Sequence, residues 1–332
     1  MSNDESKTAA DTQTGRNSRE SIRLIVNPRA GAGRAGSQLD RLKRLTSVHF
    51  AQWEVIATEA PGHATALARE AAEQGINIVA AVGGDGTCHE VVNGMMQDGS
   101  AVRRKTAFTA IPFGTGSDLV RTLGIPNDTD EALRIAANGI SLTSDLGLAT
   151  VTTDHGELSE VFVNAAGFGA NGEVAARTNR SSKRFGGVAT FVSASLKTMV
   201  SYTPRAVNVR IEGPDGTIEW AEELFSAFIA NGQFCGSGML VGSGGTMQDG
   251  LLDVNILGRS PLFQQLIDFR RLYDGTLHKA YGATRAVATK ITARPTDDRP
   301  VSIELDGETR GMLPAQFEVL PEAITIRGSW GR

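Results

Sequence analysis

The chain has 332 residues, 33 Lys+Arg against 37 Asp+Glu, and a formal net charge of −4. That length suggests two domains of about 150 residues and a sizeable core, and the mild acidity argues against a strongly basic nucleic-acid binder. The 38 glycines exceed the usual share of about 7% without any period, which excludes a collagen-like chain and points to backbone-built loops.

Residues 1–20 are polar, rich in Ser and Thr, and free of aromatics; they read as a disordered tail without the apolar core of a signal peptide. From Ser21 to about residue 145, strands and helices alternate. Ile22–Asn27 is a short β-branched run, and Leu39, Leu42 and Leu45 then recur at helical spacing. Trp53–Thr58 predicts a strand and Gly62–Gly75 a helix. Ile76–Val82 is apolar throughout, as expected of a parallel strand buried on both faces. A helix over His89–Met96, a strand over Ala107–Pro112 and helices over Leu119–Leu123 and Glu131–Asn138 follow. This rhythm implies βαβ units in a doubly wound, Rossmann-like sheet.

Beyond residue 145 strand patterns dominate, with helical spacing expected only near Gly187–Ser201 and Pro261–Tyr273. Residues 146–316 therefore read as an antiparallel β-sandwich domain. Pro214–Thr217 is a hairpin turn signal. The last strand, about 317–328, fits either domain. No run of 18 apolar residues occurs, so no membrane-crossing helix is expected. Cys88 and Cys235 lie outside any CxxC pattern and read as reduced thiols of a cytoplasmic protein.

Three glycine-rich loops each follow a strand of the first domain: Asn27–Gly33, Gly83–Thr87 and Pro112–Asp118. All three fall on the carboxyl edge of the sheet, where open α/β folds bind ligands. Their amides and the helices behind them suit phosphate groups. No GxxxxGK[ST] occurs, which excludes a Walker-type NTPase. Asp85 inside a phosphate loop calls for an intervening Mg²⁺, or else caps the helix before Thr87.

GGDGT, with NPRAGAG before it and PFGTGSD after it, resembles the diacylglycerol kinase catalytic-domain family, which includes sphingosine and ceramide kinases and bacterial soluble lipid kinases. NAD kinases carry similar loops. Phe162–Ala175, Ala230–Leu257 and Leu305–Glu308 resemble the family's N-x-x-G-x-G, DG-L-D-V and DGE segments in order. The resemblance covers about residues 22–327 and implies an ATP- and Mg²⁺-dependent lipid kinase. It places Asn27, Pro28, Gly31, Gly33, Thr58, Gly83, Gly84, Asp85, Gly86, Thr87, His89, Gly114, Thr115 and Gly116 around ATP. It implies a Mg²⁺ site at Asp249 with main-chain oxygens of Thr246 and Leu251, and Glu308 as general base beside Asp306, with Asp85 as the alternative base. Ser117 departs from the family's usual Asn.

The acceptor implied is a lipid hydroxyl of diacylglycerol or sphingoid type. The protein would then visit the inner face of the membrane transiently, without nucleic acid and as a possible homodimer. Arg177, Arg180, Lys183 and Arg184 beside Phe185 read as a headgroup contact or a solvated face. Phe191, Val192, Leu196 and Met199 on the second helix read as core, and Asp253 as a solvated strand residue. The rival functions are an NAD kinase-like enzyme and a non-catalytic nucleotide or lipid binder.

Overall fold

The computed structural model describes residues 18–113, 117–180 and 187–329. Its first half alternates as expected: β1 (Ser18–Val26), α1 (Leu39–His49), β2 (Phe50–Ala57), α2 (His63–Glu73), β3 (Ile78–Gly83), α3 (Asp85–Met95), β4 (Ala107–Pro112), α4 (Asp118–Thr122) and α5 (Thr129–Asn138). β1 begins at Ser18, so residues 18–20 belong to the sheet and not to a tail. Every residue of β3 and of β4 is buried, because helices cover both faces.

The second half comprises β5 (Ile140–Thr153), β6 (Gly156–Phe162), β7 (Ala165–Gly169), α6 (Ala170–Arg180), α7 (Gly187–Ser201), β8 (Arg205–Gly213) and β9 (Gly216–Ala230). β10 (Leu252–Gly258), α8 (Leu262–Asp268), β11 (Ala283–Ala288), β12 (Lys290–Pro295), β13 (Ser302–Leu305) and β14 (Glu308–Gly328) complete it. β8 and β9 form the expected hairpin, closing at Gly213 and Gly216. Helix α6 was not expected. Its Gly, Asn and Arg residues leave little apolar period to read, and it earns its place through buried Ala170 and Ala175.

Among the described residues fourteen strands form one sheet, ten of them along the path β11-β10-β9-β8-β12-β14-β4-β3-β1-β2 and β5, β6, β7 and β13 off it. The β1, β2, β3 and β4 pairings are parallel, and β14 joins them through Thr325↔Ala107 and Ile326↔Phe108. Earlier residues of β14 pair antiparallel with β5 and β12. One strand therefore runs through both halves. Two cores flank it: one built on Leu24, Val79, Phe108 and Leu133, the other on Phe162, Phe168, Ile291 and Phe317.

Candidate active site

Register fixes where the loops sit. Val26 lies opposite both Ala57 and Val82, and Gly83 opposite Pro112. The strands thus end together, and the loops after them share one edge. Asn27 Nδ2 donates to Thr87 Oγ1 at 3.3 Å, linking the first loop to the second. Gly31, at φ +61°, packs on the Phe113 carbonyl where a Cβ would collide. Gly114, Thr115 and Gly116 lie outside the described residues.

A cavity of about 1240 Å³ opens at this edge and extends between the halves. Its polar arm is lined by Asn27, Pro28, Gly31, Thr58, Gly84 and Thr87. Its apolar arm is lined by Phe191, Met199, Phe225, Phe228, Leu257 and Leu272. Phe191 packs on a small core with Phe228 and Met239, as expected, and with Met199 also lines the cavity, whereas Leu196 is exposed. Asp85, Asp118, Glu304, Asp306 and Glu308 line the same cavity.

Asp85 does not cap its own helix. Its carboxylate accepts N–H groups of Asp118 at 3.3 Å and Leu119 at 3.1 Å, at the start of the neighbouring α4. Burial raises its pKa against those hydrogen bonds. Asp118 accepts Ser237 N–H at 2.7 Å, and burial beside Asp85 pushes its carboxyl up to about 7. Ser117 adopts φ +52°, and its buried Oγ lacks a hydrogen-bond partner among the described residues.

Asp306 is a knot. Its oxygens accept the N–H groups of Val163 at 3.0 Å, Asn164 at 2.8 Å and Ala165 at 3.2 Å. His89 Nδ1 sits 2.9 Å from Oδ2 of the same carboxylate, and His89 Nε2 sits 3.6 Å from Glu160. Burial alone would lower the His89 pKa; the Asp306 and Glu160 carboxylates reverse that and lift it to about 9. His89 is thus a buried cation at neutral pH, held away from a phosphate-lining role and tied to Asp306.

Glu308 is freer. Its Oε2 accepts from Asn179 Nδ2 at 3.2 Å, and its Oε1 lies 3.0 Å from where a Cβ on Gly86 would stand. The carboxylate therefore rests directly over the GGDGT loop. Glu304 was not anticipated. It accepts Gly307 N–H at 2.8 Å and lines the cavity, and burial pushes its carboxyl up to about 8. The available signal was the alternation of Ser302 and Glu304 against Ile303 and Leu305 on a buried strand.

The positions expected around Mg²⁺ come together away from these acids. Asp249 accepts Thr246 N–H and Leu251 N–H, each at 3.0 Å. These contacts run through N–H groups and not through the expected main-chain oxygens, and among the described residues no group of three or more His, Cys, Asp or Glu gathers as a metal site. Asp253 is not solvated: it is buried, 3.1 Å from Arg285. Of the basic cluster, Arg177 contacts Glu173 at 3.9 Å and Ser201 Oγ at 2.9 Å. Lys183, Arg184 and Phe185 lie outside the described residues, as does the Arg180 side chain.

A glycine-loop edge facing an antiparallel sheet across one cavity is the fold class of NAD kinase-like and diacylglycerol kinase-like enzymes. The family model "Diacylglycerol kinase catalytic domain" matches residues 21–149, and "YegS C-terminal NAD kinase beta sandwich-like domain" matches residues 164–328. The chain belongs to this diacylglycerol kinase-type lipid kinase family and is an enzyme of the lipid kinase class. A relative named "Probable lipid kinase YegS-like" from Yersinia pestis (strain Pestoides F) is 28% identical over 267 residues, 80% of this chain and 83% of its own. The same holds for that of Yersinia pseudotuberculosis serotype O:1b. The crystal structure of a diacylglycerol kinase from Bacillus anthracis str. Sterne shares the fold, with TM-score 0.68, 20% identity and coverage of 93% and 97%. Among the described residues no helix is long and apolar enough to cross a membrane.

Proposed function

We propose that this chain transfers the γ-phosphoryl group of ATP, delivered as its Mg²⁺ complex, to a hydroxyl of a diacylglycerol or sphingoid-type lipid. The observation that carries this reading is a cavity lined at once by glycine loops, by apolar side chains and by a group of carboxyl side chains. The polar arm suits triphosphate, since backbone amides approach closely there. The apolar arm, with six large hydrophobic side chains, suits acyl chains better than the polar groups of a dinucleotide, which disfavours NAD as acceptor.

Phosphoryl transfer passes through a loose transition state, so the protein mainly positions groups and neutralises charge. The loops hold the phosphates; Glu308, poised over Gly86, takes the proton of the lipid hydroxyl as the bond to phosphorus forms. Asp306 positions the second half against His89 and has no free lone pair aimed at substrate. Glu304, neutral at pH 7, offers an O–H donor beside the reacting groups. A Mg²⁺ held by Asp249 with main-chain oxygens of Thr246 and Leu251 would brace a turn and supply no chemistry. Asp249→Ala should lower the melting temperature more in the presence of Mg²⁺ than in chelator; equal losses would remove the metal from that turn.

The reading is tested by labelled γ-phosphate transfer to mixed micelles of each candidate lipid and, separately, to NAD. Transfer to one lipid class supports it. Transfer to NAD alone, or to no acceptor despite ATP binding, overturns it.

A further inference from the structure

Helix α8 is built inside out. Its polar residues turn inward: Gln264 Nε2 donates to Asp268 at 2.9 Å, and Gln265 Nε2 to the Ser260 carbonyl at 2.9 Å. Asp268 is buried and also accepts from Arg271 Nε at 2.7 Å and Tyr281 N–H at 3.0 Å. The apolar residues Leu262, Phe263, Leu266 and Ile267 face out, with Phe263 at 65% and Leu266 at 53% exposure. In a surface helix the hydrophobic effect drives the opposite arrangement. The polar network holds the apolar side in the open.

The patch continues onto the neighbouring α7, where Leu196 and Val200 are also exposed, the latter at 70%. Tyr273 and Tyr281 border it. Contiguous exposed apolar surface of this kind marks a site of contact. Exposed Lys197, Arg270 and Lys279 surround it against one exposed acid of the same segment, Asp274, so cations prevail. Apolar side chains ringed by Lys and Arg, with aromatic residues at the edge, match the boundary between anionic headgroups and acyl chains. The patch also adjoins the apolar arm. Phe269 and Leu272, just after α8, and Phe191 and Met199 of α7 line the cavity.

We infer that the outward face of α8, extended by Leu196 and Val200 of α7, docks into the surface of an anionic phospholipid bilayer and sets the cavity's apolar arm against it. The inference rests on the lipid-kinase reading for its purpose, but its evidence is the surface itself. Docking there would let a lipid pass from the leaflet into the apolar arm without crossing water.

The test uses the full chain and the double variant Phe263→Ser/Leu266→Ser, with Arg270→Glu as a second probe. Sedimentation with vesicles of phosphatidylcholine and phosphatidylglycerol is measured beside turnover of a short-chain, monomerically dispersed diacylglycerol. The double variant should bind vesicles at least about tenfold more weakly, at unchanged melting temperature and unchanged turnover of the dispersed lipid. Arg270→Glu should weaken binding to the anionic vesicles and leave pure phosphatidylcholine unaffected. Unaltered vesicle binding in the double variant overturns the inference. So does a dimer of the wild-type chain that the double variant dissociates, which would make the patch a subunit interface. If α8-dependent vesicle binding persists while no lipid is phosphorylated, the docking surface stands and the kinase reading falls.

Discussion

Asp306, His89 and Glu304 make the junction at once stable and responsive to pH. Asp306 draws three backbone amides and the His89 imidazolium onto one carboxylate, joining β13, β7 and α3. Asp306→Asn leaves His89 a buried cation with a weakened partner, and should cost about 3–5 kcal/mol in chemical denaturation. A loss below about 1 kcal/mol would mean the knot is ornamental. Three groups share one sign. Asp118 moves from 3.8 to about 7, Glu304 from 4.5 to about 8 and His89 from 6.5 to about 9 on folding. Each holds its proton longer in the folded state, so their contribution to stability falls as pH rises from about 4 to about 9. Glu160 opposes them at the acid end, because, against its burial, His89 and Arg310 hold its carboxyl below the usual range. Glu304→Gln should melt higher than the wild type above its shifted range near pH 8, and match it below about 4.5. Equal melting curves at both ends would remove the buried-acid assignment. Residues of this kind were only half legible. GGDGT and DGE stand out as short motifs, but Asp306 acquires its partners from amides some 140 positions away. Asp253 alternates like a solvated residue yet meets Arg285 across the β10–β11 pair.

β14 decides how the halves are joined. Its first residues carry Glu308, its middle pairs with β5 and β12, and its end adds to β4. Arg327 near that end bonds Glu20 at 2.6 Å, Ser141 Oγ at 2.8 Å and the Ala136 carbonyl at 3.0 Å. It is nearly buried and clamps the last strand to the first. Arg327→Ala should cost about 1–3 kcal/mol and expose β1 to hydrogen exchange first. Uniform exchange across both halves would contradict a local clamp. The parallel strands were legible because residues buried on both faces give apolar runs. α6 was not, since packing against β13 and β7, rather than its own period, makes it a helix. The long β14 was also obscured, because one strand changes partners along its length and no local pattern records the change.

At the scale of the molecule, one cavity with two unlike arms is what the sheet and the two cores produce. On the proposed reading, the carboxyl edge of the parallel strands takes the phosphates, and α7 with β9 and β10 takes the hydrocarbon. Neither arm alone distinguishes a kinase from a binding protein; the proposed reading assigns the chemistry to the carboxyl side chains that share the cavity with both. The direct measurement is therefore Glu308→Gln, assayed for ATP binding by calorimetry and for γ-phosphate transfer to the lipid acceptor. The account predicts ATP affinity within a factor of about two of the wild type and a fall in kcat of about 10²–10⁴, the range for removal of a general base. A variant that binds ATP and turns over at the wild-type rate would contradict the assignment of chemistry to this junction.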